Sequence, residues 1–160
     1  MSRNNQQDGQ MALDIVDAVL AGASLKDVQG LSDEHMDGLY AFAFQFYEQG
    51  RLDDAEKFFH FLCIYDFYNS QYWMGLAAVY QLKQNHQKAI DLYAIAFAQG
   101  KNDYRPMFYS GQCQLALGKI GKARLCFEYV LAQATEEDLR LQAQVYLDTL
   151  ADLEIDRSED

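Results

Sequence analysis

The sequence predicts an all-α fold in which helical hairpins stack side by side, and three observations support this prediction. Half of the 160 residues are apolar and Pro106 is the only proline, so long helices can run without interruption. A pattern of small and aromatic residues recurs with a period of about 34 residues. Each period holds two stretches of apolar residues at helical spacing, with a short break between them.

The recurring pattern indicates three copies of one helix-turn-helix unit. Each copy has an alanine near the start of its second helix, at Ala55, Ala89 and Ala123. An aromatic residue follows four positions after each alanine. The predicted repeats occupy 36–69, 70–103 and 104–135. Ser110 and Gln114 replace apolar or aromatic residues of the other copies, so we expect looser packing inside the third repeat.

The second copy identifies the type of repeat. Trp73, Leu76, Tyr80, Ala89 and Tyr93 follow the tetratricopeptide pattern in order and spacing, and the period agrees with that repeat. Such repeats stack into a curved solenoid whose concave surface is formed by the first helix of each hairpin. The predicted fold is therefore an α-solenoid of three tetratricopeptide helical hairpins with N-terminal and C-terminal capping helices.

Capping helices are expected because the end repeats would otherwise expose an apolar face. The N-terminal region, 10–35, contains an amphipathic stretch followed by Ser24 to Asp27, which is typical of a helix start. The C-terminal capping helix is predicted at 136–155. Its apolar stripe consists of Leu139, Ala143, Tyr146, Leu147 and Leu150. Residues 1–9 and 156–160 are expected to be disordered.

Charge and composition disfavour several functions. The formal net charge of -11 repels nucleic-acid phosphates and anionic lipid headgroups, so we expect neither nucleic-acid nor membrane binding. The N-terminus lacks the basic flank and apolar run of a secretory signal, and we expect a cytosolic protein. The three cysteines lie far apart among apolar neighbours, which predicts buried, reduced thiols at Cys63, Cys113 and Cys126.

The sequence offers no combination of residues typical of an enzyme. It has no Gly-rich phosphate loop, no His-Glu-x-x-His motif and no cysteine pair at metal-binding spacing. His35, His60 and His86 lie in separate segments, where packing is the more common role of a lone histidine. We therefore predict a binding protein without catalytic residues, metal or cofactor.

A second aromatic stripe marks the candidate binding site. Tyr40, Phe44 and Tyr47 follow one another at helical spacing. They are separate from the residues expected to face the second helix of the hairpin, which are Leu39, Phe42, Ala43 and Phe46. One interpretation is that this stripe packs under the N-terminal cap as core. The other is a peptide-binding surface, because the same register in later repeats gives Met74 and Phe108.

The surface interpretation predicts the chemistry of the ligand. The strip, which continues through Ala78, carries little charge, so an extended peptide with spaced apolar anchors fits best. A tetratricopeptide surface that captures a chain-terminal carboxylate would need Lys, Arg and Asn on its concave helices. Ala41, Gln71 and Gly75 occupy such places here, which argues against a carboxylate clamp.

Four segments, 22–28, 61–69, 74–80 and 101–106, resemble the class II chaperones of bacterial type III secretion systems, in their enterobacterial, invasion-type branch. The resemblance implies a cytosolic chaperone that keeps two hydrophobic translocator proteins unaggregated. It also implies that Tyr40, Phe44 and Tyr47 receive the client, together with Met74, Tyr93 and Phe108. The N-terminal helix, through Met11, Ile15 and Val19, would take part in homodimer contacts. A regulatory adaptor that binds an AraC-type activator when free of client is the alternative function, and the two roles can coexist.

Overall fold

The computed structural model describes Asp14, Asp17, Ala21 and residues 23–158, with side chains described as far as Leu153. Residues 23–158 form eight α-helices, and the described part of the chain contains no strand. The helices are α1 (Leu25–Gln29), α2 (Asp33–Glu48), α3 (Leu52–Tyr65), α4 (Ser70–Leu82), α5 (His86–Gln99), α6 (Arg105–Ala116), α7 (Ile120–Gln133) and α8 (Glu137–Ser158). The predicted all-α fold is confirmed: α2–α3, α4–α5 and α6–α7 pack as three consecutive hairpins, and α8 covers α7.

Small residues let the two helices of each hairpin approach closely. Ala43 and Ala55 are fully buried where α2 meets α3, and Ala77 and Ala89 occupy the equivalent places in the second hairpin. In the third hairpin the first of these positions is Gly111, where a Cβ would lie 2.8 Å from the ring of Phe127. The aromatic ring that follows the second small residue therefore packs directly against the opposite helix backbone.

The first helix of each hairpin ends at the same position of the repeat, next to a residue with positive φ. Gly50 and Gly118 follow α2 and α6 with φ of +71°, a left-handed conformation in which glycine has no steric penalty. Gln84 takes the equivalent position after α4 with φ of +60°. Each break therefore reverses the chain so that the next helix runs back along the previous one.

The N-terminal end of the described region has the predicted helix start. The Ser24 hydroxyl accepts from the Asp27 backbone N–H, and the Asp27 carboxylate accepts from the Ser24 backbone N–H at 3.0 Å, which completes a capping box. Lys26 reaches from α1 to Asp66 at the end of α3, with an N–O distance of 3.2 Å. This ion pair holds α1 against the first hairpin.

Two sequence expectations differ from the structure. Phe42 was expected to be buried between the helices of the first hairpin. Its ring lies 6.4 Å from that of Phe58 on α3, but Phe42 is 55% exposed, because Ala43 and Phe46 occupy the centre of that interface and Phe42 lies at its edge. The capping helix α8 continues to Ser158, beyond the predicted end at residue 155. The expected disorder of 1–9 falls outside the described residues, as do Glu159 and Asp160.

The core divides into two clusters of buried residues. One joins the first two hairpins and includes Phe59, Leu76 and Tyr93. The other joins the third hairpin to α8 and includes Phe108 and Phe127. Cys63, Cys113 and Cys126 are free thiols; Cys63 and Cys113 are buried, as predicted, whereas Cys126 is only half-buried. Burial raises the pKa of Cys63 to about 12 and that of Cys113 to about 11, so both thiols are protonated at neutral pH.

Candidate peptide-binding groove

One groove crosses the first helices of the three hairpins, α2, α4 and α6, and its cavity volume is about 390 Å³. Phe59 of α3 and Tyr93 of α5 form its floor from behind. The residues contributed by α2, α4 and α6 are Tyr40, Phe44, Tyr47, Gln71, Met74, Gly75, Ala78, Gln81, Leu82, Arg105, Tyr109 and Gln112. The groove therefore lies on the surface that tetratricopeptide solenoids use for binding.

The α2 wall of the groove is aromatic. Phe44 is 44% exposed, and its ring centroid lies 6.4 Å from Tyr40 and 6.1 Å from Tyr47. Tyr40 also meets the buried Phe59 edge to face at 6.0 Å. Tyr40 and Tyr47 line the groove and also pack partly against the core of the first two hairpins. Burial raises the pKa of Tyr47, and its hydroxyl is neutral at physiological pH.

The floor of the groove depends on Gly75. A Cβ at this position would overlap the ring of Phe59, which packs against the backbone of α4 at that point. Met74 and Ala78 lie on either side of this glycine in the groove lining. The absence of a side chain at Gly75 lets the Phe59 ring reach the floor of the groove, where it offers an apolar surface to a ligand.

A chain of hydrogen bonds closes the α6 end of the groove. The Tyr93 hydroxyl donates to Gln81 Oε1 at 2.7 Å, Gln81 Nε2 donates to Gln112 Oε1 at 3.2 Å, and Gln112 Nε2 donates to the Tyr146 hydroxyl at 3.0 Å. Burial raises the pKa of Tyr93, which keeps its hydroxyl protonated as a donor. The polar groups in this chain satisfy one another, so an apolar ligand can cover them without leaving them unpaired.

The structure separates Phe108 from the other predicted site residues. Tyr40, Phe44, Tyr47, Met74, Ala78 and Tyr93 line the groove, whereas Phe108 is 2% exposed and belongs to the core beneath α8. Its ring lies 5.6 Å from both Phe127 and Tyr146. The placement of Phe108 on the groove surface is thus corrected, because α8 covers this side of α6 and Tyr109 faces the groove instead.

The groove carries little charge. Among the described lining residues, Arg105 alone is charged, and its guanidinium binds Asp103 through Nε–Oδ1 at 2.9 Å and Nη2–Oδ2 at 2.7 Å. The repeat register predicts Gln81 and Gln112 on the same strip, as equivalents of Tyr47 and Phe44, and both line the groove. Sequence reasoning did not identify Tyr109 as a lining residue.

The remaining residues discussed from the sequence lie outside the groove lining or outside the described part of the chain. Met11, Ile15 and Val19 fall outside the described residues. His35 Nδ1 lies 2.6 Å from the Ser32 hydroxyl, and His60 Nε2 lies 3.3 Å from the Tyr80 hydroxyl. Within the described residues, no group of three His, Cys, Asp or Glu side chains is arranged to hold a metal, and no helix is long and apolar enough to span a bilayer.

Comparison with known proteins supports the assignment of the first two repeats as tetratricopeptide repeats. Residues 36–69 and 70–103 match the tetratricopeptide repeat family. The chain is 57% identical to the chaperone protein SicA of Salmonella typhimurium over 155 residues, which is 97% of this chain and 94% of SicA. This identity extends over the repeats and both flanking regions.

Two solved structures share the fold. PcrH of Pseudomonas aeruginosa, in complex with the chaperone binding region of PopD, is 31% identical with a TM-score of 0.73, and the match covers 78% of this chain and 97% of PcrH. The Yersinia enterocolitica type III secretion translocator chaperone SycD, in an alternative dimer, is 25% identical with a TM-score of 0.72, and the match covers 76% of this chain and 95% of SycD. The chain belongs to the class II chaperones of bacterial type III secretion systems, the tetratricopeptide-repeat family that serves translocator proteins.

Proposed function

We propose that the protein acts in the bacterial cytosol, where it binds hydrophobic translocator proteins through the groove and keeps them soluble and competent for export. The observation that carries this proposal is the aromatic wall of α2, where Phe44 stands exposed beside Tyr40 and Tyr47 above an apolar floor. An exposed aromatic surface of this kind is typical of a recognition site. The family consists of chaperones, and the protein is not an enzyme.

The chemistry of the groove fits an extended apolar segment of a client. Its walls are formed by neutral side chains, and its one charged lining residue among those described, Arg105, is already paired with Asp103. The relative PcrH forms a complex with the chaperone binding region of PopD, which supports a segment of a translocator as the ligand. Translocator segments that are apolar would aggregate if left exposed, and a strongly acidic chaperone that covers them gives the complex a net charge that favours solubility.

The size of the groove fits binding that can be reversed at export. A cavity of about 390 Å³ accommodates a few anchor side chains and not a whole domain. Affinity depends on how well such anchors are buried, and not on total contact area. A short segment with two or three anchors therefore binds specifically and still dissociates.

Calorimetric titration tests the proposal. Overlapping peptides from the N-terminal region of a translocator encoded by the same organism are titrated into the wild type and into the variant Tyr40→Ala/Phe44→Ala/Tyr47→Ala. We expect one peptide to bind the wild type and to lose at least about tenfold in affinity with the variant. A matched control, Leu125→Ala/Leu153→Ala, removes exposed apolar side chains outside the groove and should bind normally. Equal binding by all three folded proteins would contradict the proposal.

The same variants can separate the regulatory function implied by the resemblance from client binding. If an AraC-type activator binds the protein, and if that role uses another surface, the complex persists when Tyr40, Phe44 and Tyr47 are replaced while client binding fails. Pull-down of the activator encoded by the same organism, with the wild type and the triple variant side by side, measures this difference. Loss of both partners in the triple variant would place them in one groove.

We further propose that the protein forms a homodimer to which Met11, Ile15 and Val19 contribute. Exposed apolar side chains on the first hairpin, Phe42 and Ile64, support this. Sedimentation equilibrium of the wild type and of Met11→Glu/Ile15→Glu/Val19→Glu tests it. We expect the mass of the variant to fall to that of one chain, and an unchanged dimer would contradict the role of these residues.

A further inference from the structure

The capping helix α8 has apolar residues on two opposite faces. Leu139, Ala143 and Leu150 are buried against α6 and α7, as a cap requires. The outer face of a terminal cap is expected to be polar. Here Leu141 is 57% exposed and Val145 is 63% exposed, one helical turn apart on that outer face. Capping alone does not explain these two side chains.

A cavity opens beside the same two turns of α8. It lies between the end of α7 and the start of α8, and its volume is about 390 Å³. The lining residues are Leu131, Thr135, Glu137, Arg140, Leu141 and Gln144. None of them belongs to the peptide-binding groove, so the cavity is a separate feature of the surface. An apolar side chain that enters it would contact Leu131 and Leu141.

Acidic residues flank the exposed apolar pair at both ends. Glu137 and Asp138 precede it by one turn, and Asp148 and Asp152 follow it on the same side of the helix. All four carboxylates are on exposed residues. Asp148 accepts a hydrogen bond from Gln144 Nε2 at 2.7 Å, a neutral partner that leaves its charge uncompensated. Arg140, which lines the cavity, offsets part of the charge of Glu137 and Asp138. The surface therefore combines an apolar centre with acidic ends.

We propose that this outer face of α8 is a second protein-binding surface, which takes a basic amphipathic helix from a partner protein. An apolar side chain of the partner enters the cavity beside Leu141, and others pack on Val145. Lysine or arginine side chains at the two ends of the partner helix pair with the carboxylates of Glu137, Asp138, Asp148 and Asp152. The distance from Glu137 to Asp152 is about 22 Å at 1.5 Å per residue, which about four turns of a partner helix match.

Charge separates this occupant from the alternatives. Nucleic acids and anionic membranes are repelled by the same carboxylates. A second copy of the protein, related by a two-fold axis, would bring like-charged ends or flanks of α8 together. A purely apolar client segment would leave the acidic ends without partners. The proposal therefore does not depend on the function of the groove, and a client and a basic helix can be bound together.

The test uses a synthetic probe of stated chemistry. The probe is a helical peptide of about 16 residues with leucines along one face and lysines at both ends, and its control carries glutamates in place of the lysines. Titration by fluorescence anisotropy compares the wild type with Leu141→Gln/Val145→Gln and with Asp148→Asn/Asp152→Asn. Leu125→Gln/Asp91→Asn removes one exposed leucine and one exposed carboxylate elsewhere and serves as the matched control.

We expect the lysine peptide to bind the wild type and the matched control equally, and to bind each α8 variant at least about tenfold more weakly. The glutamate peptide should not bind. Amide NMR shifts on addition of the lysine peptide should fall on α7 and α8, and the groove peptide should not displace it. Equal weakening in the matched control would show non-specific attraction to an acidic protein and overturn the proposal. Shifts confined to the groove, or loss of self-association in Leu141→Gln/Val145→Gln, would also overturn it.

Discussion

The first and third hairpins use the same helix position in opposite ways. Tyr40 of α2 and Phe108 of α6 stand in the same register of the repeat, yet Tyr40 lines the groove and Phe108 is buried. The difference comes from the neighbour on each side. The capping helix α8 places Tyr146 5.6 Å from Phe108, ring to ring, whereas α2 keeps its aromatic wall open to the groove. Whether a given repeat position is buried or lines the groove thus depends on the helix that packs against it.

The largest test of this comparison is Phe108→Ala. Removal of a buried aromatic ring leaves a cavity among Phe127 and Tyr146, and we expect the free energy of unfolding to fall by about 3–5 kcal/mol. Phe44→Ala, on the open wall of α2, should cost less than about 1 kcal/mol, because Phe44 is already 44% exposed to solvent. Urea denaturation of both variants measures the difference, and equal losses would show that the two aromatic sites do not differ.

Gly75→Ala tests the contact between the floor of the groove and the core. The new Cβ overlaps the ring of Phe59, so we expect a loss of about 1–3 kcal/mol and weaker client binding. Gly38→Ala is the matched control, since that helical glycine has open space around it and should gain about 0.5–1 kcal/mol. Thermal unfolding of the pair checks the sign. A stabilised Gly75→Ala protein would mean that Phe59 can move aside at little cost.

Tyr146→Phe tests how much the hydrogen-bond chain at the α6 end of the groove contributes to stability. The substitution keeps the ring that covers Phe108 and removes the hydroxyl that accepts from Gln112. We expect a loss of about 1 kcal/mol, because the Gln112 amide then lacks that partner. Tyr68→Phe, at an exposed tyrosine, should leave stability unchanged. If both variants unfold alike, the hydrogen-bond chain contributes nothing measurable to the fold.

The smallest expected effect concerns pH and the contact between the first two hairpins. Lys83 binds Asp53 and Glu56 of α3, and its hydrogen bond to Glu56 lowers the pKa of that carboxyl below its unfolded value of about 4.3. The stabilisation is therefore present above pH 4.3 and is lost as the pH falls through the folded pKa. Glu56→Gln should remove a few tenths to about 1 kcal/mol at pH 7.

The equivalent positions in the next pair of hairpins are Ile90 and Leu117, which cannot form such an ion pair. The pH-dependent loss should therefore be confined to the contact between the first two hairpins. Denaturation of the wild type and Glu56→Gln at pH 7 and at pH 3 provides the measurement. The difference between the two proteins should be larger at pH 7 than at pH 3, and a constant difference would assign the effect to packing.

Sequence reasoning found most of the groove because tetratricopeptide hairpins repeat their geometry. The spacing of Tyr40, Phe44 and Tyr47 places them on one face of a helix, and the repeat period extends that face to Met74 and Ala78. The same period placed Phe108 on the surface, which is wrong. The register contains no information about which side of the last repeat a capping helix will cover.

The sequence by itself determined the class of the protein. Period, helical spacing and turn residues are local properties, and local hydrogen bonding and side-chain direction translate them directly into stacked hairpins. Tertiary packing alone decided which aromatic residues remain open. Tyr109 replaced Phe108 in the groove, Phe42 turned outward, and the hydrogen-bond chain from Tyr93 to Tyr146 joined residues from four helices. These outcomes depend on contacts between helices that are far apart in the chain. Close packing of the core determines which side chains take part in those contacts.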